Sequence, residues 1–183
     1  MHFPHRTATL FLLAAGAVLL SAFTSAAGEE FQLEEEFTRL DNGKNLDGWN
    51  GRKEGWSVVD GAIHLDIHHA KGHLYSDKTH SQNCVVRLQF RTSPRGDSGV
   101  FVWGSQFQVR DFLAIGPKVY ADAAKPAGEW NDLEIDITGG TAVVSLNGKF
   151  IDTWKIGEQS KKGFGLQRER GDFDFRYIRI MEK

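Results

Sequence analysis

The sequence has one cysteine, Cys84, so no disulfide can form within the chain. Packing alone must hold the fold. Cys84 alternates with Val86, Leu88 and Phe90, which reads as a small core residue rather than a reactive thiol. Basic runs are missing. The 22 Lys and Arg are interspersed with 24 Asp and Glu, for a net charge of −2. That balance argues against nucleic acid as a partner. After the apolar run near the N-terminus no second one follows, so the remainder contains no expected membrane span. A phosphate loop and a dinucleotide fingerprint are both absent. Gly-Asp-Ser-Gly at 96–99 echoes the nucleophile motif of trypsin-type proteases. The chain is too short for their double barrel and no suitable His motif precedes it, so a serine nucleophile is set aside. Helical periodicity is nearly absent after residue 37, and no internal repeat or linker appears.

What is present begins with an export signal. A weakly basic start, the apolar stretch ATLFLLAAGAVLLSAF, and small Ser25 and Ala27 describe a secretory signal peptide over 1–27. A secreted or periplasmic location is therefore expected, the alternative being an uncleaved anchor. Residues 28–36, an acidic cluster, are expected to form a solvated, loosely ordered leader. Residues 37–183 read as one domain. Short period-two runs fall at 56–60, 62–67, 73–76, 84–92, 98–103, 106–112, 130–138, 141–147, 149–154, 163–168 and 173–181. Between them stand Asp60-Gly61, Gly139-Gly140 and Asn147-Gly148, pairs that tolerate the positive φ of tight hairpins. Such punctuation predicts an all-β antiparallel sandwich. The longest stretch without strand pattern, 113–129, is expected to be a loop at the rim of a site. LEIDI turns Leu133, Ile135 and Ile137 inward, whereas CVVRLQFRT carries Arg87, Gln89 and Arg91 on its other face, which suggests a polar floor.

Sugar recognition needs flat aromatic faces for ring C–H patches and planar multi-donor side chains for hydroxyls. The stretch 97–111 supplies both kinds in Asp97, Trp103, Gln106, Gln108, Arg110 and Asp111. Trp130, Asn131, Gln167, Arg168 and Glu169 add more if their strands lie nearby. The alternative is an ordinary solvated sheet face. Trp49, Trp56 and Trp154 sit beside turns and are expected to plug the ends of the sandwich; Trp103 and Trp130 are the stacking candidates. His64, Asp66 and His68 alternate on one face, a pattern that can bind zinc or a similar divalent ion, with His69, His73 and His80 close by. No second ligand pattern supports it, so no cofactor is predicted.

Several stretches together resemble the 3-keto-disaccharide hydrolase domain family. They are NGKNLDGW at 42–49, WSVVDGAIHL at 56–65, GDSGVFV at 96–102, KPAGEWNDLEI at 125–135, VSLNGKFI at 144–151 and GFGLQRERGDFDFRYIRI at 163–180. The resemblance implies a concanavalin A-like jelly roll of two curved antiparallel sheets with a site on the concave face. It also implies export, and action on glycosides oxidised at the third sugar carbon. Such a ketone acidifies the C2 hydrogen, so cleavage needs one base and one enolate stabiliser rather than the carboxylate pair of ordinary glycosidases. Relatives commonly show Tyr-Glu-Val-Gln where this chain has Phe107, Gln108, Val109 and Arg110. After Gly-Leu-Gln this chain reads Arg168, Glu169, Arg170, Gly171, where relatives often end in His-Gly. The resemblance therefore implies a base drawn from Asp97, Glu169 or Asp111, and Arg110 neutralising developing charge. Gln106, Gln108, Lys125, Gln167 and Arg168 would bind the substrate, with Trp103 or Trp130 stacked on it. Two other readings remain: a carbohydrate-binding module without turnover, favoured by Gln108 in place of Glu, and a cell-surface interaction domain.

Overall fold

A computed structural model describes residues 31–156 and 163–183. The signal-peptide expectation for 1–27 lies outside the described residues. The elements in chain order are β1 (Thr38–Arg39), β2 (Trp49–Gly51), β3 (Trp56–Val59), β4 (Ala62–Leu65), β5 (Leu74–Ser76), β6 (Cys84–Thr92), β7 (Asp97–Val102) and β8 (Ser105–Arg110). Then come α1 (Phe112–Ile115), α2 (Lys118–Ala121), β9 (Asn131–Thr138), β10 (Thr141–Leu146), β11 (Lys149–Lys155), β12 (Phe164–Leu166) and β13 (Phe173–Glu182).

They form an all-β sandwich of two antiparallel sheets. The eight-stranded sheet runs β11-β10-β9-β6-β13-β4-β3, with β1 added on β13; the five-stranded sheet runs β2-β5-β12-β7-β8. Period-two alternation puts one side of each strand into a shared core. Leu88, Phe90, Leu133, Ile135, Ile137, Phe173 and Phe175 of the first sheet face Leu74, Val100, Val102, Phe107, Val109, Phe164 and Leu166 of the second. Each such side chain contributes about 1.5–3 kcal/mol when fully buried, so one or two match a disulfide at about 2–4 kcal/mol. The core thus supplies what the missing disulfide would have. Cys84 is fully buried, and that burial pushes its thiol up to about 12.

Three expected hairpin turns have positive φ at both central residues: Asp60-Gly61, Gly139-Gly140 and Asn147-Gly148. A fourth, Trp103-Gly104 (φ 48° and 87°), joins β7 to β8. Tryptophan carries no turn signal, so that hairpin was not foreseen. Nor were β1 and β2, which are too short to show a period. The rim segment 113–129 is partly helical, holding the end of α1 and all of α2.

Two features of the eight-stranded sheet differ from expectation. First, the acidic leader is docked over its described part. Phe31 stacks on Tyr177, with ring centroids 4.1 Å apart and planes 7° off parallel. Glu34 accepts hydrogen bonds from Arg179 (2.6 and 2.8 Å) and Arg87 (3.2 Å). Composition gave the segment's charge; the fold supplies its cationic partner. Second, the polar floor of β6 is a hydrogen-bonded ladder in which two of three rungs are ion pairs. Arg87 bonds to Glu134 at 2.7 Å, Gln89 to Asp132 at 2.7 Å and Arg91 to Asp174 at 2.6 Å, each across neighbouring strands.

Candidate functional site

The outer face of the five-stranded sheet gathers residues that the sequence keeps far apart. On β7, Ser98, Val100 and Val102 are buried, so Asp97, Gly99 and Phe101 lie on the opposite side. On β8, Phe107 and Val109 point inward, leaving Gln106, Gln108 and Arg110 outward. Strand register then builds rows across the sheet. Asn50, Tyr75, Gly165, Phe101 and Gln106 form one row. In the next, Gln167 donates its backbone N–H to the Gly99 carbonyl, and Gly99 pairs with Gln108. In the third, Asp97 pairs with Arg110 on one side and bridges to Arg170 on the other. With strands about 4.8 Å apart and residues about 3.4 Å apart along each, the patch spans about 20 by 14 Å, room for two or three sugar rings.

The rows differ in chemistry. The first is aromatic: Tyr75 and Phe101 stack at 5.7 Å between centroids, and His73 packs on Phe101 at 5.3 Å. The Arg168 backbone N–H donates to His73 Nδ1 at 2.9 Å, which makes Nδ1 an acceptor and fixes the ring. The second row is amide-rich. Gln106 donates to Gln167 Oε1 at 2.7 Å over Gly99, where a Cβ would lie 2.5 Å from Gln106 Nε2. The third is ionic. Arg110 Nη2 lies 3.2 Å from Asp97 Oδ1, and Arg170 Nη2 lies 3.6 Å from Asp97 Oδ2. Asp97 is only 8% exposed and its Oδ1 has the Arg110 ion pair but no hydrogen bond of good geometry, while the Arg110 Nε is buried without a hydrogen-bond partner. Unpartnered polar atoms cost stability, and a bound ligand is one way to satisfy them.

The structure thus brings together Asp97, Gln106, Gln108, Arg110 and Gln167. Exposed Glu169 follows one residue before Arg170, at the end of the same patch. Arg168 reaches away to the rim, its Nη2 3.4 Å from the Ile67 carbonyl. The other candidates lie elsewhere. Trp103 is 5% exposed and packs in the core, because the β7–β8 turn swings it inward; it offers no face for stacking. Trp130 belongs to the opposite sheet, where the Arg176 guanidinium sits 3.9 Å from its ring centroid. Lys125 donates to the Trp130 carbonyl at 2.9 Å in the loop before β9. Asp111 caps α1, accepting from Ala114 N–H at 3.2 Å and from Arg95 N–H at 2.9 Å. Both of its carboxylate oxygens are thereby engaged by backbone N–H groups.

The metal pattern does not converge. His64 bonds to Asp174 at 2.7 Å, while Asp66 accepts from His69 and from the His68 backbone in the following turn. Among the described residues no group of three His, Cys, Asp or Glu side chains could hold a metal ion. Of the remaining tryptophans, Trp49 and Trp56 are buried and Trp154 is half-buried. A hollow of about 320 Å³ also opens on the eight-stranded sheet beside Arg87, Glu134 and Arg179. Its charges are already neutralised by one another and by Glu34, so it is a weaker ligand candidate.

Sequence reasoning left Tyr75, Phe101 and Arg170 out of the candidate site, and named His73 only beside the metal pattern. The signal existed for three of them. Phe101 alternates with Gly99 and Asp97, and Tyr75 with His73, so each shares a face with the expected polar group. The Arg170 bridge to Asp97 follows from sheet pairing alone.

Two crystal structures from Parabacteroides distasonis ATCC 8503, of proteins provisionally assigned as glycosyl hydrolases, share the fold. One aligns with a TM-score of 0.64 at 19% identity, covering 81% of this chain and 94% of that one. The other aligns with a TM-score of 0.64 at 24% identity, covering 80% and 99%. The carbohydrate-binding module CBM66 from Bacillus subtilis aligns with a TM-score of 0.55 at 11% identity, covering 76% and 98%. The fold is a concanavalin A-like jelly roll. No curated protein matches the sequence. Residues 36–181 match the family described as the 3-keto-alpha-glucoside-1,2-lyase-like domain, and this chain belongs to that family.

Proposed function

We propose that the protein cleaves the glycosidic bond of glycosides carrying a ketone at C3 of the sugar, on the outer face of the five-stranded sheet. The observation that carries the reading is the row of Asp97, Arg110 and Arg170 beside the glutamine cluster around Gly99. Aromatic Tyr75 and Phe101 cover the apolar side of a sugar ring; Gln106, Gln108 and Gln167 address its hydroxyls. The C3 ketone makes the C2 hydrogen acidic. Asp97 takes that proton, and the electrons left on C2 delocalise onto the C3 oxygen beside Arg110. The enolate then collapses to a C1–C2 double bond as the C1–O bond breaks with its electron pair on the leaving oxygen. Water adds across the double bond, hydroxyl to C1 and hydrogen to C2. One base and one cation suffice, which suits a site without a carboxylate pair.

A second reading is supported by Gln108, an amide where relatives commonly carry Glu, and by the two arginines that hold Asp97. In it the same face binds sugar without turnover. One assay separates the two. Incubation with a phenyl 3-keto-glucoside is expected to release phenol, and Asp97→Asn to lower kcat about 10²–10⁴-fold. Sugar-dependent stabilisation without any release would establish the binding-only reading. Full turnover by the Asp97→Asn variant would exclude Asp97 as base.

The proposed setting is outside the cytoplasm, on the strength of the sequence at 1–27. Fractionation of the native host, with the N-terminus of the recovered protein determined, tests it. A chain starting at Met1 and retained in the cytoplasm would overturn it.

A further inference from the structure

A cleft of about 260 Å³ opens beside β8, the last strand of the five-stranded sheet. Gln106, Gln108 and Arg110 form one wall; Tyr120, Asp152 and Trp154 form the other. Its back is an aromatic stack. Phe107 lies against Trp154 at 5.7 Å and 20° between planes, and against Tyr120 at 6.2 Å and 36°. The volume is just under the lower end of the roughly 300–1,000 Å³ typical of ligand pockets, which suits a single ring. Gln108 and Arg110 belong both to this cleft and to the polar sheet face. A ligand seated on the face therefore enters the cleft by crossing one strand.

The acid–base character of the cleft decides what fits. The Tyr120 hydroxyl donates to Asp152 Oδ2, so its proton is directed away from any ligand. Burial, and then Asp152, raise that hydroxyl to about 12. Asp152 Oδ1 accepts the Thr153 backbone N–H at 2.7 Å. The remaining polar walls are amides and a guanidinium, and none of these gives up a proton. A leaving group in this cleft must depart with its negative charge. A sugar alkoxide carries that charge poorly, whereas an aryl oxygen carries it well. Arg110 lines the cleft and carries a buried Nε without a hydrogen-bond partner, so its guanidinium is the cation that offsets this charge.

We propose that this cleft is the leaving-group subsite and takes a planar aromatic alcohol, so that the substrates are aryl glycosides of the oxidised sugar. The proposal rests on the reading of the sheet face given above. In the cleavage step Asp97 takes the C2 proton and the C1–O electron pair departs on the aryl oxygen as a phenolate beside Arg110. The ring packs on Trp154.

Binding is tested on the full mature chain with unoxidised phenyl and methyl glucosides, which lack the ketone and cannot be turned over. Calorimetry is expected to show phenyl glucoside binding about tenfold tighter, and Trp154→Ala to erase the difference while leaving methyl glucoside unchanged. Equal affinities in the wild type, or a preference that survives Trp154→Ala, would overturn the subsite. Should that variant not fold, indole N–H resonances of the wild type decide. Phenyl glucoside alone must shift the Trp154 signal, and an unmoved signal rejects the proposal. Release of phenol from phenyl 3-keto-glucoside, measured separately, tests catalysis on the face. Its absence sinks the enzymatic reading and leaves the binding comparison to judge the cleft.

Discussion

Gln106 donates its side-chain amide to Gln167 at 2.7 Å, directly over the bare backbone of Gly99. This arrangement separates binding from stability. In Gly99→Ala the new Cβ would lie 2.5 Å from Gln106 Nε2 and 2.7 Å from Gln167 Oε1. Those atoms are the free ends of flexible chains, so they swing aside rather than strain the sheet. The expected result is a thermal midpoint within a few degrees of wild type, on the order of 1 kcal/mol. Sugar affinity and turnover should fall tenfold or more, because both amides lose their positions. A Gly99→Ala variant that binds sugar normally would remove the glutamine pair from the site.

Glu34 ties the N-terminal segment to the eight-stranded sheet, and the tie depends on pH. Hydrogen bonds from Arg179 hold its carboxyl down from 4.5 to about 2, against a partial desolvation that works the other way; Arg87 adds to the lowering. A carboxylate with a depressed folded value stabilises the fold above its unfolded pKa. That contribution is complete above about pH 5 and disappears as pH falls from there toward 2. Because the pair is partly exposed, the effect is modest and weakens with salt. Urea melts of wild type and Glu34→Gln should therefore differ at pH 6 and converge near pH 2. A gap that stays constant across that range would show that Glu34 acts through packing instead.

The jelly roll was legible because its signals are local. The alternation in CVVRLQFRT and LEIDI fixes which side is buried, and Asn147-Gly148 fixes a hairpin. The grouping of candidate residues was legible only where it follows the same rule. Gln106, Gln108 and Arg110 alternate against Phe107 and Val109, so they had to share a face. What failed was the assignment of tryptophans. A residue type says that a flat surface exists, not which way it turns. Trp103 is rotated inward by a hairpin with no sequence signature, and Trp130 belongs to the other sheet. Asp111 was ambiguous for a related reason: helix caps and catalytic bases use the same side chain, and the structure places it at a cap. Tyr75 and Phe101 meet only through the pairing of β5, β12 and β7, a non-local fact.

The alternating His64, Asp66 and His68 make a further expectation about metals. His64 shares Asp174 with Arg91, and Asp66 serves the turn through His69 and the His68 backbone. Dialysis against a chelator should leave the thermal midpoint and any turnover unchanged. His64→Ala should lower stability slightly through loss of the Asp174 contact, with no effect on sugar binding. Loss of activity on chelation, restored by one divalent ion, would show a metal site built from other groups.

Asp111 is adjacent in sequence to Arg110, and the two have separate tasks. Asp111 is 7% exposed and accepts from two backbone N–H groups, Ala114 at the start of α1 and Arg95 in the loop before β7. The two bonds use different carboxylate oxygens, and asparagine keeps only one acceptor while turning its NH2 toward the other N–H, so Asp111→Asn should lose about 1–3 kcal/mol of stability yet retain turnover. Alanine removes both bonds, and loss of a helix cap typically costs about 0.5–2 kcal/mol. The strand end carrying Arg110 runs straight into that cap, so Asp111→Ala should also raise KM while leaving kcat close to normal. Were Asp111 the base, the pattern would invert. Asp111→Asn would then abolish kcat in a variant that still folds and binds sugar, and the assignment of Asp97 would have to be given up.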